Sequence, residues 1–295
     1  PKGKSEKTPQ ILFITSYPPR ECGIATYSQD LVKALNDKFE DSFRIKICAL
    51  ENEAENHFEY PKEVKYILNT EYPTAFRSLA NVINLDNKIE MVVLQHEFGF
   101  YHKCKEDFIG FLKDVKKKRV IVFHTVLPNA DEVFKAYVNE IIANTDSIIV
   151  MTERSAEILR NEYAVSSDKI EVIAHGTHLV PHADKTELKE KYNIGNRKVL
   201  STFGLLGPGK SIETTIDALT DIVKTKPDVL FLVIGKTHPG YVKEHGEDYR
   251  EMLEAKVRDL KLEDNVRFIN KYLGLDELLE YLQLTDIYLF TSKDP

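Results

Sequence analysis

The 295-residue chain has no excess of positive charge: 40 lysine and arginine residues stand against 47 aspartate and glutamate, for a formal net charge of -7 at pH 7. Duplex DNA and RNA demand clustered cations opposite their phosphates, so nucleic acid is not an expected partner. Cysteine is scarce as well. Cys22, Cys48 and Cys104 are far apart and form no C-x-x-C pair, which argues against a disulfide or zinc framework and suits a reducing cytoplasm. No apolar run approaches membrane-spanning length, and the opening "PKGKSEKTPQ" has no apolar stretch of signal-peptide type. A disordered leader is expected over residues 1–9. Solenoid-type repeats and low-complexity segments are also missing. The chain starts without methionine and stops at "FTSKDP", directly after an apolar strand, so a trimmed piece of a longer protein is expected.

What is present is a large potential core: 42% of the residues are hydrophobic, and this length suits two domains. Short apolar runs alternate with amphipathic stretches, the signature of strand-helix-strand units and a mainly parallel sheet. "ILFITS" precedes a helix with Ile24, Tyr27, Leu31 and Leu35 on one face, and "RIKICAL", "EMVVLQ", "VIVFHT", "SIIVMT" and "KIEVIAHG" follow. The pattern then restarts. "KVLSTFGLLG" leads into a helix with Ile212, Ile216, Leu219 and Val223 on one face, followed by "VLFLVIG", "VRFIN" and "DIYLFTS". The polar stretch around residues 185 to 197 marks the expected boundary, giving domains 1–184 and 185–295, each a doubly wound α/β layer. Ligands in such sheets bind beyond the carboxyl ends of the strands.

"GLLGPGKS", Gly204 to Ser211, fits the G-x-x-x-x-G-K-[ST] pattern of the phosphate loop in nucleotide triphosphatases. That loop works by aiming successive backbone N–H groups at the anion, and Pro208 has none to give. The expected companion, an apolar strand ending in aspartate to hold magnesium, is missing: the later strands end in Lys, Asn and Ser. Three readings stay open. The stretch is a triphosphatase or phosphotransferase loop, a glycine turn with Lys210 in solvent, or a helix N-terminus at Ser211 that holds a diphosphate with Lys210 beside it.

"FGLLGPGKSIETTIDAL", "VLFLVIGK", "NVRFINKYLGLDELLEYLQLTDIYLFTS" and "YPPRECGIATYSQDLVKAL" together resemble glycosyltransferase family 4. Members are retaining nucleotide-sugar transferases of GT-B fold. The likeness runs in order from Ile11 onward. It implies two Rossmann-like domains facing a cleft, with donor held mainly by the second and acceptor mainly by the first. No metal or other cofactor is implied, because positive side chains and helix N-termini neutralise the diphosphate.

By this resemblance Lys210 falls on the donor diphosphate, with Gly204, Gly209 and Ser211 around it and Gly23 letting a helix N-terminus approach the phosphates. The family has an arginine where this chain has Leu205; Lys236 could partly compensate, or be a solvated lysine at a strand end. His124 in "VIVFHTVLP" matches the histidine that orients the transferred sugar. His96 and Glu97 would line the acceptor side, and Tyr272 and Leu273 would face the nucleotide base. In "HGTHLVPH", His175, His178 and His182 invite a metal reading, but no carboxylate or cysteine is interleaved, and Gly176 resembles the turn before the interdomain linker.

The segment 103–119 places Phe108, Phe111, Leu112 and Val115 on one helical face among basic residues, so peripheral contact with an anionic membrane and a lipid-linked acceptor is one expectation. A core-facing helix with a solvated basic end is the other. The family also carries, after the strand read here as "DIYLFTS", two glutamates seven residues apart that contact donor sugar and ribose. This chain stops before them, so its second domain is expected to be incomplete and its catalytic power weak. The expected activity is hexose transfer from a nucleoside diphosphate sugar to a glycan or other hydroxyl acceptor, in cytoplasmic polysaccharide biosynthesis. A non-catalytic nucleotide or sugar binding module is the remaining alternative.

Overall fold

The structure is a computed structural model that describes residues 8–52 and 58–292; of the leader expected over 1–9, residues 1–7 lie outside the described residues. The chain divides into two compact units, 1–177 and 178–295.

The first unit contains β1 (Gln10–Thr15), α1 (Gly23–Phe39), β2 (Arg44–Glu51), β3 (Val64–Asn69), α2 (Pro73–Leu85), β4 (Ile89–His96), α3 (Phe98–Tyr101) and α4 (Lys105–Asp114). It continues with β5 (Lys118–Phe123), α5 (Glu132–Ala143), β6 (Ser147–Val150), α6 (Glu153–Glu162) and β7 (Ile170–Val172). All seven strands join one parallel sheet in the order β3-β2-β1-β4-β5-β6-β7. Strand order runs outward in opposite directions from the β1/β4 pair, which makes that pair the topological switch point. Central strands of such a sheet are covered on both faces, so they read as near-continuous apolar runs. Leu12 and Ile14 of β1 enter one cluster with α2, α4, α5 and α6, whereas Phe13 enters a second cluster with Val32 of α1.

Two expectations about this unit need correction. The wholly buried stripe of α1 is Ala25, Ser28 and Val32, and the anticipated Ile24, Tyr27, Leu31 and Leu35 flank it half-buried. Ser28 can occupy a core position because its hydroxyl pairs with Thr15 Oγ1 at 2.6 Å, which satisfies a polar group that would otherwise oppose burial. The second correction concerns segment 103–119. Phe108, Phe111, Leu112 and Val115 all lie inside the larger cluster, while Lys103, Lys105, Lys113 and Lys116 are exposed. The apolar face that a bilayer would require is turned into the protein, so membrane contact through this face is not supported. Among the described residues no helix is long and apolar enough to cross a membrane.

The second unit contains α7 (Lys185–Lys191), β8 (Lys198–Phe203), α8 (Ile212–Thr225), β9 (Val229–Ile234), α9 (Pro239–His245), α10 (Asp248–Asp259), β10 (Val266–Ile269), α11 (Leu275–Leu284) and β11 (Ile287–Tyr288). Its four strands are parallel, in the order β10-β9-β8-β11. Every residue of β9 is buried. Val229, Phe231 and Val233 pack with α8 and α10, and Leu230, Leu232 and Ile234 with α7 and α11, the period-two alternation of a strand sandwiched between helix layers. Residues just before α7 pack with this unit: Ala183 N donates to Gln283 Oε1 at 2.9 Å, and Asp184 caps α7 by accepting from Thr186 N and Glu187 N.

β11 pairs with β8 over only Ile287 and Tyr288, and a charge cluster beside it supplies further attachment. Asp286 accepts from Val199 N at 2.8 Å, Lys189 Nζ at 2.9 Å and Lys185 Nζ at 3.2 Å. Burial pushes its carboxyl up, but the Val199 N–H and the two lysines outweigh that and bring it down to about 2.

Candidate active site

In the second unit the loops after the parallel strands gather at the carboxyl edge of the sheet, where α/β sheets bind ligands. The loop after β8 starts at Gly204, whose φ of +132° is left-handed territory. It continues through a tight turn, Pro208–Lys210, into α8. Lys210 folds back over Gly204: its Nζ lies 3.7 Å from where a Cβ on Gly204 would sit. Its carbonyl accepts from Thr291 Oγ1 at 2.7 Å, and its ammonium lies 5.9 Å from the centre of the Phe290 ring. Lys210 is half-buried, and among the described residues it has no ion-pair partner.

The backbone around Lys210 does not form an open anion cradle. Lys210 N donates to Gly207 O at 2.9 Å, Ser211 N to Pro208 O at 3.1 Å, and Gly204 N to Ile234 O at 3.0 Å. Ile212 N, the first N–H of α8, donates to the Tyr249 hydroxyl at 3.1 Å, and that hydroxyl donates to Glu213 Oε2 at 2.8 Å. A phosphate nest needs such groups free, so the triphosphatase reading of "GLLGPGKS" loses its geometry. The expected role of Ser211 and the α8 N-terminus is corrected for the same reason. Ser211 is buried in a left-handed conformation with φ 50°, and its hydroxyl faces Thr214 Oγ1 and Glu213 Oε1. Gly204 contributes conformation, not a donor. Gly209 lies exposed beside Lys210.

A second glycine in this unit went unnoticed in the sequence. Gly235, directly after β9, has φ +128°, and a Cβ there would lie 2.0 Å from the Gly204 carbonyl oxygen. The two loops touch through bare backbone. A glycine closing a wholly apolar strand is the signal that points to such a close approach. Next to it, buried Arg250 of α10 donates through Nε to Glu247 Oε2 at 3.0 Å, through Nη2 to Thr237 Oγ1 at 3.1 Å, and through Nη1 to Asn270 Oδ1. It thereby ties the segment after β9 to the segment after β10. In the latter, Tyr272 is exposed, while Leu273 packs partly against the core cluster of α7 and α11.

In the first unit His124 follows β5 directly. Its Nε2 lies 2.8 Å from Oε1 of Gln95, the penultimate residue of β4. The Tyr27 ring of α1 meets the imidazole edge-on at 5.1 Å, and His175, after β7, meets Tyr27 at 4.9 Å. Burial, helped by nearby His175, pushes His124 down to about 4, so the ring is neutral at pH 7. Gly23 is exposed at the start of α1, with open space where a Cβ would go, and Cys22 makes no side-chain cap there.

His96 does not line an acceptor surface, and Glu97 is half-buried and engaged in local hydrogen bonds. His96 is fully buried among Phe98, Tyr101, Phe108 and Phe123, and both its ring nitrogens lack a partner. The reason is strand parity: His96 shares a face with Val92 and Leu94, which enter the α2/α4 cluster. Glu97 caps α3 through Phe98 N at 2.9 Å and accepts from Thr125 Oγ1 at 2.6 Å, which occupies both carboxylate oxygens. Among the described residues no group of three His, Cys, Asp or Glu could hold a metal ion.

Residues 184–294 match the family model described as glycosyl transferases group 1. No curated protein sequence matches the chain. Solved structures similar to it include sucrose-phosphate synthase from Thermosynechococcus elongatus, at a TM-score of 0.73 and 15% identity over 96% of this chain and 75% of that one. A glycosyltransferase from Rickettsia africae matches at 0.70 and 17% over 98% and 74%. HepE of Anabaena, in complex with UDP and glucose, matches at 0.69 and 14% over 97% and 75%. Residues 184–294 of the second unit thus resemble the glycosyl transferases group 1, and the chain has the GT-B glycosyltransferase fold.

Proposed function

We propose that this glycosyltransferase moves a hexose from a nucleoside diphosphate sugar to a hydroxyl of a glycan acceptor, with retention at the anomeric carbon. The bond from that carbon to the diphosphate oxygen breaks, a bond to the acceptor oxygen forms, and the acceptor proton leaves with the diphosphate. One observation carries the donor assignment: Lys210, half-buried and without an ion-pair partner among the described residues, stands at the carboxyl edge of the sheet in the unit that matches the family model. A fixed positive charge there stabilises the leaving diphosphate as negative charge develops on it. The UDP-glucose complex of Anabaena HepE, a structural neighbour, supports the same donor class. Tyr272 would face the nucleotide base, Gly23 at the start of α1 the phosphates. Free Cys22, Cys48 and Cys104 suit a cytoplasmic setting.

Lys210→Ala is expected to weaken UDP binding by about 2 kcal/mol, or ~30-fold in Kd, as for a charge-assisted contact. Isothermal titration with and without magnesium checks it, and the metal should change little. Unaltered UDP affinity would remove Lys210 from the site, and tight ATP binding that strictly requires magnesium would restore the triphosphatase reading.

His124 is assigned to the transferred sugar and not to the nucleotide. In the full chain His124→Ala is expected to reduce turnover of the nucleotide sugar ~10-fold or more while UDP affinity stays within about twofold. A wild-type rate from a folded variant would return His124 to a purely structural role.

A further inference from the structure

We propose that Gln95 is a positioning residue that holds His124 as its Nε2–H tautomer, so that Nδ1 presents a lone pair to a hydroxyl of the donor sugar. The second half of this statement rests on the reading of His124 given above; the first half does not.

The geometry follows from the sheet. β4 and β5 are parallel neighbours with Gln95 opposite Val122, and His124 lies two residues beyond Val122, on the same face. The side chains of Gln95 and His124 therefore meet beyond the strand ends, Oε1 to Nε2 at 2.8 Å. An amide oxygen only accepts, so the proton must be on Nε2. A neutral imidazole carries one ring proton, which leaves Nδ1 bare. Nδ1 has no hydrogen-bond partner among the described residues, and His124, unlike the fully buried His96, is only half-buried. The titratable groups around the ring are Tyr27 from α1, His175 from the segment after β7 and His96 from β4. Tyr27 and His175 present ring contacts and give Nδ1 no bond.

The other end of Gln95 supplies the second observation. Gln95 is wholly buried, 0% accessible, and its amide Nε2 has no partner among the described residues. A buried amide left unsatisfied opposes folding, so a leucine of similar size would serve the core at least as well. What leucine cannot do is choose the tautomer. Second partners of this kind fix which imidazole nitrogen carries the proton.

The test uses the full chain labelled with 15N-histidine. Long-range 1H–15N correlation spectra should show His124 as Nε2–H in the wild type, as a mixture of tautomers in Gln95→Leu, and as imidazolium persisting to higher pH in Gln95→Glu. Gln95→Leu should melt at or above the wild-type temperature. Its kcat for hydrolysis of UDP-glucose without acceptor should fall ~10-fold while KM stays within about twofold. An Nδ1–H tautomer in the wild type, or an unchanged tautomer in Gln95→Leu, overturns the proposal. If the tautomer shifts as expected but His124→Ala hydrolyses UDP-glucose at the wild-type rate, the hold of Gln95 on the ring stands and the sugar-facing role fails.

Discussion

Gly235→Ala is expected to destabilise the protein by about 3 kcal/mol, a loss in the range reserved for backbone positions that tolerate no Cβ. The new Cβ would fall 2.0 Å from the Gly204 carbonyl oxygen, a backbone atom that cannot swing aside, and the φ of +128° is one that alanine rarely adopts. Something has to move, and the nearest candidate is the loop that carries Lys210. The melting temperature should therefore drop by on the order of 5–10 °C for a chain of this size, with UDP binding weakened in the surviving folded fraction. Gly110→Ala is the control. It sits inside α4 with nothing within 4 Å of its added Cβ, and replacing a mid-helix glycine by alanine should leave stability equal or slightly raised. Thermal scans of both variants decide the matter: a Gly235→Ala protein melting within a degree of wild type would show that the two loops separate freely.

Acidification should destabilise the first unit well before ordinary carboxylates titrate. Burial, with His124 nearby, pushes His96 down to about 3 from its ordinary 6.5. Between those values the unfolded chain binds a proton that the folded chain refuses. The stability from neutral His96 is thus fully present above pH 6.5 and is lost as pH falls toward 3. The loss runs at about 1.4 kcal/mol per pH unit, on the order of 5 kcal/mol in all. His124, held down to about 4, adds in the same direction. Asp286 works in a lower window, since its stabilisation is lost only as pH falls from the ordinary carboxylate range through about 2. His96→Phe should flatten the slope between pH 6.5 and 4. It should also raise stability at pH 7, because the two ring nitrogens without partners disappear into an already aromatic cage. Circular dichroism melts of both proteins at pH 7, 5.5 and 4.5 measure the difference. Equal acid slopes would mean that His96 finds a proton acceptor in the folded state.

Much of the scaffold could be read from apolar runs alone, because a strand covered on both faces has no polar residues to hide it. β9, "VLFLVI", is the clearest case. β3 escaped notice: at the sheet edge its residues alternate, with Lys65 and Ile67 exposed, and six such residues do not stand out from a helix or a loop. The α1 face was read one step off because Ser28 looks like a surface residue until Thr15 Oγ1 satisfies it. His96 and His124 both end apolar strands, and only parity separates them. Counting in twos from Val92 and Leu94 would have sent His96 inward, and the same count puts Gln95 on the face of His124. The closed state of the α8 N-terminus was beyond local reading, since the hydroxyl that occupies Ile212 N belongs to Tyr249, 37 residues later.

Arg250 has a bearing on how this protein could be re-engineered. One guanidinium joins the segments after β9 and β10 through Thr237 and Asn270, with Glu247 as its counter-charge. Transplanting either loop alone from another enzyme would strand a buried cation against foreign side chains. The smallest exchangeable cassette is therefore Gly235 to Gly274, both loops with α9, α10 and β10 between them, moved as a single piece.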